Sequence, residues 1–316
     1  MSTPPLPGLG AERAANRRLL RQAVLVWVAD PAALPGALAT PAAWACLSAA
    51  EQARRRALHF AADRQLFAAA HVLLRHALAA CLGAAAQRLA FVTNAHGRPE
   101  LFSRRQARRH ALRFSLSHSA GLVAVAVTLG CDVGVDVEPA RPDLPLDDLT
   151  PGLLSAVERH WFSALPAAER AGAFTGLWTL KESLLKAYGL GIADELGNIG
   201  LVRSWQQPRA VLVAGHRLAP PGPAGVLLSA LDGGGALAVS AFAPLQAAPV
   251  EPGSAPGMRQ VLLFDLRPGR AAPSRQVCLS VHGLPPPAPA PAPACASASA
   301  SAIDHAVPVL PTCSPV

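Results

Sequence analysis

Apolar residues recur along this chain in two rhythms, one of period two and one near 3.6. Gln22–Ala29 is a β-type apolar run and predicts a first strand. From Ser48 to Ala80, Leu58, Phe60, Leu66, Phe67, Val72, Leu73, Leu74 and Leu78 form a helical stripe, with Arg54, Arg55, Arg56, Arg64 and Arg75 on the polar face. A turn, Asn94–Pro99, follows the apolar Leu89–Val92. Leu112–Thr128 reads as strand, loop, strand. Val133–Glu138 alternates strictly, so Asp136 and Glu138 share one face and Val135 and Val137 the other. Leu153–Leu165 and Ala173–Tyr188 are predicted helices, the second closed by Gly189 and Gly191. Strands return at Ala210–Val213, Val226–Ala230 and Ala236–Ala243.

The rhythm fades after about residue 245. Met258–Leu266 and Gln276–Val281 suit strands of an appended piece, 246–284. From Pro285 the Pro-Ala run and Ala-Ser repeat hold too little apolar surface to fold, which predicts a disordered tail over 285–316. No apolar stretch has the length a bilayer span needs, and Met1–Arg21 lacks the apolar centre of a signal peptide. The six cysteines are scattered without metal-ligand spacing, as suits free thiols in a reducing cytoplasm.

Charge changes the picture. Residues 1–120 hold 16 arginines against five acidic residues, whereas 121–250 hold 12 acidic residues against eight basic ones. A basic half, 1–120, facing an acidic half, 121–245, suits an anionic ligand on one side and a cation on the other. Arg104–Arg113 fits either a partner-binding patch or a solvated loop. A nucleic-acid role finds no helix-turn-helix, no aromatic-interleaved basic strand and no zinc spacing.

Only two lysines occur in the 316 residues, Lys181 and Lys186, and they bracket Glu182. Lysine, unlike arginine, has a pKa that its surroundings can move far enough for proton transfer. Glu182 and Lys186 at i,i+4 also fit an ordinary helical ion pair worth about 0.2–0.5 kcal/mol. Two carboxylates on one strand face and a third from a helix make an oxygen set that Mg²⁺ accepts. A lysine one turn beyond Glu182 adds a cation for the same phosphate. Together they suit phosphoryl-group transfer by positioning and charge neutralisation.

Four motifs in order, Gly97-Arg98-Pro99, Phe114-x-x-Ser117-His118-Ser119, Gly134-Val135-Asp136-Val137-Glu138 and Trp178-x-x-Lys181-Glu182-Ser183-x-x-Lys186, span much of residues 45–245. They resemble the 4′-phosphopantetheinyl transferases, and more closely the larger monomeric, surfactin-synthetase-activating branch. The resemblance implies an α/β (α+β) fold of two similar lobes related by a pseudo-twofold, each with a small, mostly antiparallel sheet packed on a long helix. It implies transfer of 4′-phosphopantetheine from coenzyme A to a serine of an acyl or peptidyl carrier protein, with Mg²⁺. Asp136 and Glu182 would bind the metal, with Glu138 third, directly or through water. Glu182, or a water it orients, would take the serine proton, and Lys186 would serve the departing phosphate. Ser117 and His118 would contact coenzyme A, and Gly97, Arg98 and Arg54 would line its phosphates; Arg55, Arg56 or Arg64 fit the last role too. His118 also suits a buried, backbone-satisfied histidine, and Lys181 takes no role. The family often has Asn where Ser115 stands, which implies a tuned contact. A catalytically weak homologue that binds coenzyme A or the carrier is the alternative, and Asp136, Glu182 and Lys186 together argue against it.

Overall fold

A computed structural model describes residues 16, 18–20, 23–34, 38, 40–94, 97–102, 112–189, 196–203, 210–214, 224–231, 235–242, 260–267, 274–277 and 279–283. The expected tail, Gly191 and the arginines at 104, 105, 108 and 109 lie outside these residues.

The chain runs β1 (Ala23–Ala29), α1 (Pro41–Trp44), α2 (Ala49–Ala57), α3 (Ala61–Leu82), β2 (Phe91–Thr93), β3 (Pro99–Leu101), β4 (Leu112–Ser119), β5 (Leu122–Leu129) and β6 (Asp132–Glu138). It continues with α4 (Leu146–Leu153), α5 (Ala156–Ser163), α6 (Ala167–Tyr188), β7 (Gly200–Arg203), β8 (Ala210–Ala214), β9 (Ala224–Ala230), β10 (Ala236–Phe242), β11 (Gln260–Asp265), β12 (Ser274–Val277) and β13 (Leu279–Gly283). The two large sheets have the orders β12-β11-β1-β5-β4 and β6-β10-β9-β13-β8-β7, and β2 pairs with β3 in a small third sheet. Most pairings are antiparallel; β1–β11 and β13–β8 are parallel. The expected two-lobed fold is what forms.

Strand alternation decides the layers. Leu25, Trp27 and Ala29 of β1 face α3, while Val24, Val26 and Val28 face the second sheet. Val133, Val135 and Val137 of β6 and Leu237, Val239 and Ala241 of β10 meet them from the other side. The two sheets therefore share one apolar interior, and each turns its other face to its own long helix. By composition α3 alone among the described helices passes for a bilayer span, a length the sequence reading missed; its side chains fill the first core instead.

The lobes repeat one device. Ser48 and Ser155 begin α2 and α5 with capping boxes whose N3 residues are Glu51 and Glu158. Each glutamate also meets a buried cation at the same place along a 22-residue helix, Arg75 on α3 and Lys181 on α6. Arg75 donates to both Glu51 oxygens and to the Ala86 and Leu89 carbonyls. Lys181 bonds Glu158 at 2.7 Å and the Leu153 and Leu196 carbonyls. Both helices close on a left-handed glycine, Gly83 and Gly189.

Several boundaries differ from the sequence reading. The stripe over 48–80 is two helices, because Leu58 and Phe60 are extended and Arg64 donates to the Leu58 and His59 carbonyls between them. Arg75 is buried rather than on a polar face, since the glutamate and carbonyls satisfy it. Leu153–Leu165 is likewise cut at extended Leu154 by the Ser155 cap, and α6 begins at Ala167, not Ala173. The boundary at 120 would split the β4–β5 hairpin; the sheets change hands between β5 and β6. The described part of the expected appendage 246–284 belongs to the two sheets: β11 lies beside β1, and β13 lies between β8 and β9. Their pairing partners are distant in sequence, so local pattern could not reveal them. The described cysteines, Cys46, Cys81 and Cys131, are buried thiols outside any disulfide.

Gly134 marks the closest approach of α6 to β6. A Cβ there would stand 1.9 Å from the Ser183 carbonyl oxygen and 2.5 Å from the Ala187 nitrogen. Backbone cannot move aside as a side-chain tip can, so Gly134→Ala should destabilise the fold by about 1–3 kcal/mol or more, read by denaturant unfolding. Phe264 of β11 stacks on Trp27 at 5.3 Å and is buried. Phe264→Ala should cost about 3–5 kcal/mol, whereas an appended segment would lose nothing from the global transition.

Candidate active site

The edge strands β4 and β6, one from each sheet, run side by side and carry most of the site. Alternation on β4 sends Phe114 and Leu116 into the first core and Ser115, Ser117 and Ser119 the opposite way. Ser115 Oγ accepts the Val135 N–H at 3.0 Å, Ser117 Oγ donates to Asp136 Oδ1 at 2.7 Å, and Ser119 Oγ donates to Glu138 Oε2 at 2.7 Å. The three serines stitch the lobes together and fix both carboxylates. The contact expected at Ser115 is thus with backbone. Ser117 is bonded to Asp136, and Ser119, which the motif includes without a role, holds Glu138; the Ser-x-Ser-x-Ser alternation is its signal.

Helix α6 supplies the other half. Gly134 lets it lie against β6, and Ser183 pins it to β10 through Ser240 at 2.7 Å. Glu182 and Lys186, one turn apart, then stand over Asp136. Lys186 Nζ reaches Asp136 Oδ1 at 2.7 Å and Ser117 Oγ at 3.1 Å. Its bond is therefore to Asp136 across the lobe, beyond the local helical pair with Glu182. Lys181 sits outside this group, fully buried on Glu158. The two lysines divide between a site and a strap.

The carboxylates crowd one another. Burial pushes Glu182 up to about 7; Asp136 and Glu138 add to the rise and Lys186 opposes it. Burial and Asp136 also raise Glu138, against Ser119, Arg141 and Lys186. Asp136 Oδ2 and Glu182 Oε1 are buried without a hydrogen-bond partner. Among the described residues no three His, Cys, Asp or Glu side chains converge to hold a metal by themselves. Mg²⁺ needs fewer: one or two carboxylates suffice when water and phosphate oxygens complete its shell. The two orphaned oxygens fit such an ion, and Glu138 stands next to them.

The remaining predicted residues lie on the basic side. His118 is half-buried, and burial, His71, Lys186 and Arg54 hold its imidazole down to about 4. Arg54 is exposed on α2 with its guanidinium 6.0 Å from the Phe67 ring centre. Gly97 takes a left-handed φ of 80° in the turn that Asn94 closes on Arg98. Arg98 donates to the Ala187 and Val133 carbonyls, both at 3.3 Å, and lies 4.0 Å from Asp132. In this arrangement it joins the turn to the end of α6 and the start of β6. His71, like His76, stands in an apolar helical stripe, a pattern that carries no functional signal in the sequence.

Between pH 4.5 and 7 folded Glu182 keeps a proton that the unfolded chain has released, so its stability contribution falls as pH rises through this window. Glu182→Gln should therefore melt a few degrees above the native protein at pH 8 without metal and lose that gain below pH 4.5. Added Mg²⁺ should raise the native melting temperature more than the variant's.

Two family models cover most of this architecture. The model described as the N-terminal part of 4′-phosphopantetheinyl transferase matches residues 35–129, and that of the 4′-phosphopantetheinyl transferase superfamily matches 132–221. The chain is 34% identical over 149 residues to 4′-phosphopantetheinyl transferase HetI of Nostoc sp., covering 47% of this chain and 62% of that one. It is 30% identical over 159 residues to the putative 4′-phosphopantetheinyl transferase slr0495 of Synechocystis sp., covering 50% and 63%. Against 4′-phosphopantetheinyl transferase psf-1 of Bacillus pumilus identity is 29% over 149 residues, covering 47% and 60%. The matched part thus spans about three fifths of each of these curated relatives.

Proposed function

Because the chain belongs to the 4′-phosphopantetheinyl transferase superfamily, we propose that it moves 4′-phosphopantetheine from coenzyme A to a serine hydroxyl of an acyl or peptidyl carrier protein. The observation that carries this reading is the joining of Asp136, Glu182 and Lys186 across the β6–α6 contact, with two carboxylate oxygens buried and unpartnered. Asp136 and Glu182, with Glu138 beside them, would hold Mg²⁺, which when bound supplies charge neutralisation to the pyrophosphate.

The serine oxygen forms a bond to the phosphorus carrying the pantetheine arm, and the bond from that phosphorus to the bridging oxygen breaks. Adenosine 3′,5′-bisphosphate leaves. Glu182, or a water it orients, takes the serine proton. Lys186 stabilises the departing phosphate, held in register by Ser117 and Asp136. Ser117 fixes the carboxylate that faces the pyrophosphate. His118 serves the 3′-phosphate side, and Arg54, Gly97 and Arg98 line the phosphates. The basic first half favours encounter with an acidic carrier, which makes the rate salt-sensitive. We read the protein as a cytoplasmic monomer, since one chain brings both lobes to the cleft.

Intact mass of an apo-carrier protein after incubation with this protein, coenzyme A and Mg²⁺ tests the proposal. A phosphopantetheine-sized gain should appear, vanish with EDTA and vanish with Glu182→Ala. Lys186→Met should slow it by about 10²-fold or more while leaving coenzyme A binding measurable. Absence of any gain on fatty-acid and peptide-synthetase carriers, with coenzyme A still bound, sinks transfer and favours a binding protein.

A further inference from the structure

Ser119 and Arg141 have no role in the chemistry above, yet both hold a carboxylate of the proposed metal site. Ser119 is the last residue of β4 and is buried. A two-residue turn follows it, Ala120 and Gly121, both at positive φ (31° and 87°), and returns the chain into β5. That turn fixes where the hydroxyl stands. Ser119 Oγ donates to Glu138 Oε2 at 2.7 Å. Arg141, just beyond β6, reaches Ser119 Oγ and Glu138 Oε2, both at 3.4 Å.

Asp136 is held in the same manner on the same strand face. Its Oδ1 takes both Ser117 and Lys186, at 2.7 Å each. Each carboxylate thus has one oxygen fastened by a β4 serine and a cation. The other oxygen carries none of these bonds: Oδ2 on Asp136, buried without a partner, and Oε1 on Glu138. A carboxylate tied at one oxygen offers a metal a single ligand, not a chelating pair. That difference separates two abundant cations. Mg²⁺ demands a near-octahedral shell of single oxygens, whereas Ca²⁺ accepts a larger shell and both oxygens of a carboxylate.

Resting on the metal reading above, we propose that Ser119 and Arg141 are positioning residues that shift this site's preference toward Mg²⁺ over Ca²⁺. They hold Oε2 of Glu138 and leave Oε1 alone to offer. Ser119 is the centre of the device, since it bonds Glu138 and meets Arg141. The Arg141 side chain is exposed, so it can be changed without opening the core.

Calorimetric titration of the protein saturated with coenzyme A, with Mg²⁺ in one series and Ca²⁺ in another, tests this. Ser119→Ala releases Oε2 from the hydroxyl and should lower the ratio of Mg²⁺ affinity to Ca²⁺ affinity by about tenfold. Arg141→Gln should lower it in the same direction and by less. A merely structural role for Ser119 would weaken both ions alike and leave the ratio where it was. An unchanged ratio in Ser119→Ala therefore overturns this inference alone. If that variant fails to fold, the ratio in Arg141→Gln decides on the same terms. A native protein that binds coenzyme A but neither ion overturns the metal reading, and this inference with it.

Discussion

The site exists because α6 can touch β6 without a side chain between them. At Gly134 the missing Cβ lets the Ser183 carbonyl and the Ala187 amide lie directly on the strand. Everything chemical is measured from that contact. Glu182 and Lys186 flank it on the helix, Asp136 and Glu138 follow it on the strand, and alternation aims both carboxylates at the helix. Moving the helix outward by one methyl group would lengthen every distance among them. Ser183 and Ser240 reinforce the seat with a hydrogen bond buried between helix and sheet.

A second constraint keeps that helix from rotating on its seat. Lys181 is fully enclosed and Glu158 nearly so, with relative exposures of 0% and 2%. Breaking such a pair strands a charge and costs about 3–5 kcal/mol, far more than an exposed pair returns. The same glutamate begins α5 and accepts the Leu201 N–H, so one carboxylate joins α5, α6 and β7. Glu51 and Arg75 do this in the first lobe. Both lobes thus fasten a capped short helix to a long one, yet the second alone places carboxylates on the strand beneath. In the first, Trp27 of β1 fills the face that α3 covers.

Electrostatics follow from this division. The first lobe supplies His118, His71 and Arg54, and the second supplies Asp136, Glu138 and Glu182. Between them Lys186, anchored in the second lobe, bonds Ser117 of the first. Arg98 links turn, strand and helix at the junction through the Ala187 and Val133 carbonyls.

Much of this was legible in the residues. The alternation of Val133–Glu138 put Asp136 and Glu138 on one face, and the spacing of Glu182 and Lys186 put them on one side of a helix, because both periods are properties of the local backbone. Ordered motifs gave the two-lobed fold and the identity of the carboxylates. The resemblance already assigned Lys186 and left Lys181 without a role; only folding decided that Lys181 is a buried strap on Glu158 while Lys186 reaches Asp136. Tertiary structure alone turned β11, β12 and β13 into strands of the two large sheets and the Ser-x-Ser-x-Ser alternation into a seam. It also gave His71 neighbours from α2 and β4. Periodicity is written by adjacent residues, whereas a pKa, a buried ion pair or a strand partner is written by whichever residues folding brings within a few ångströms.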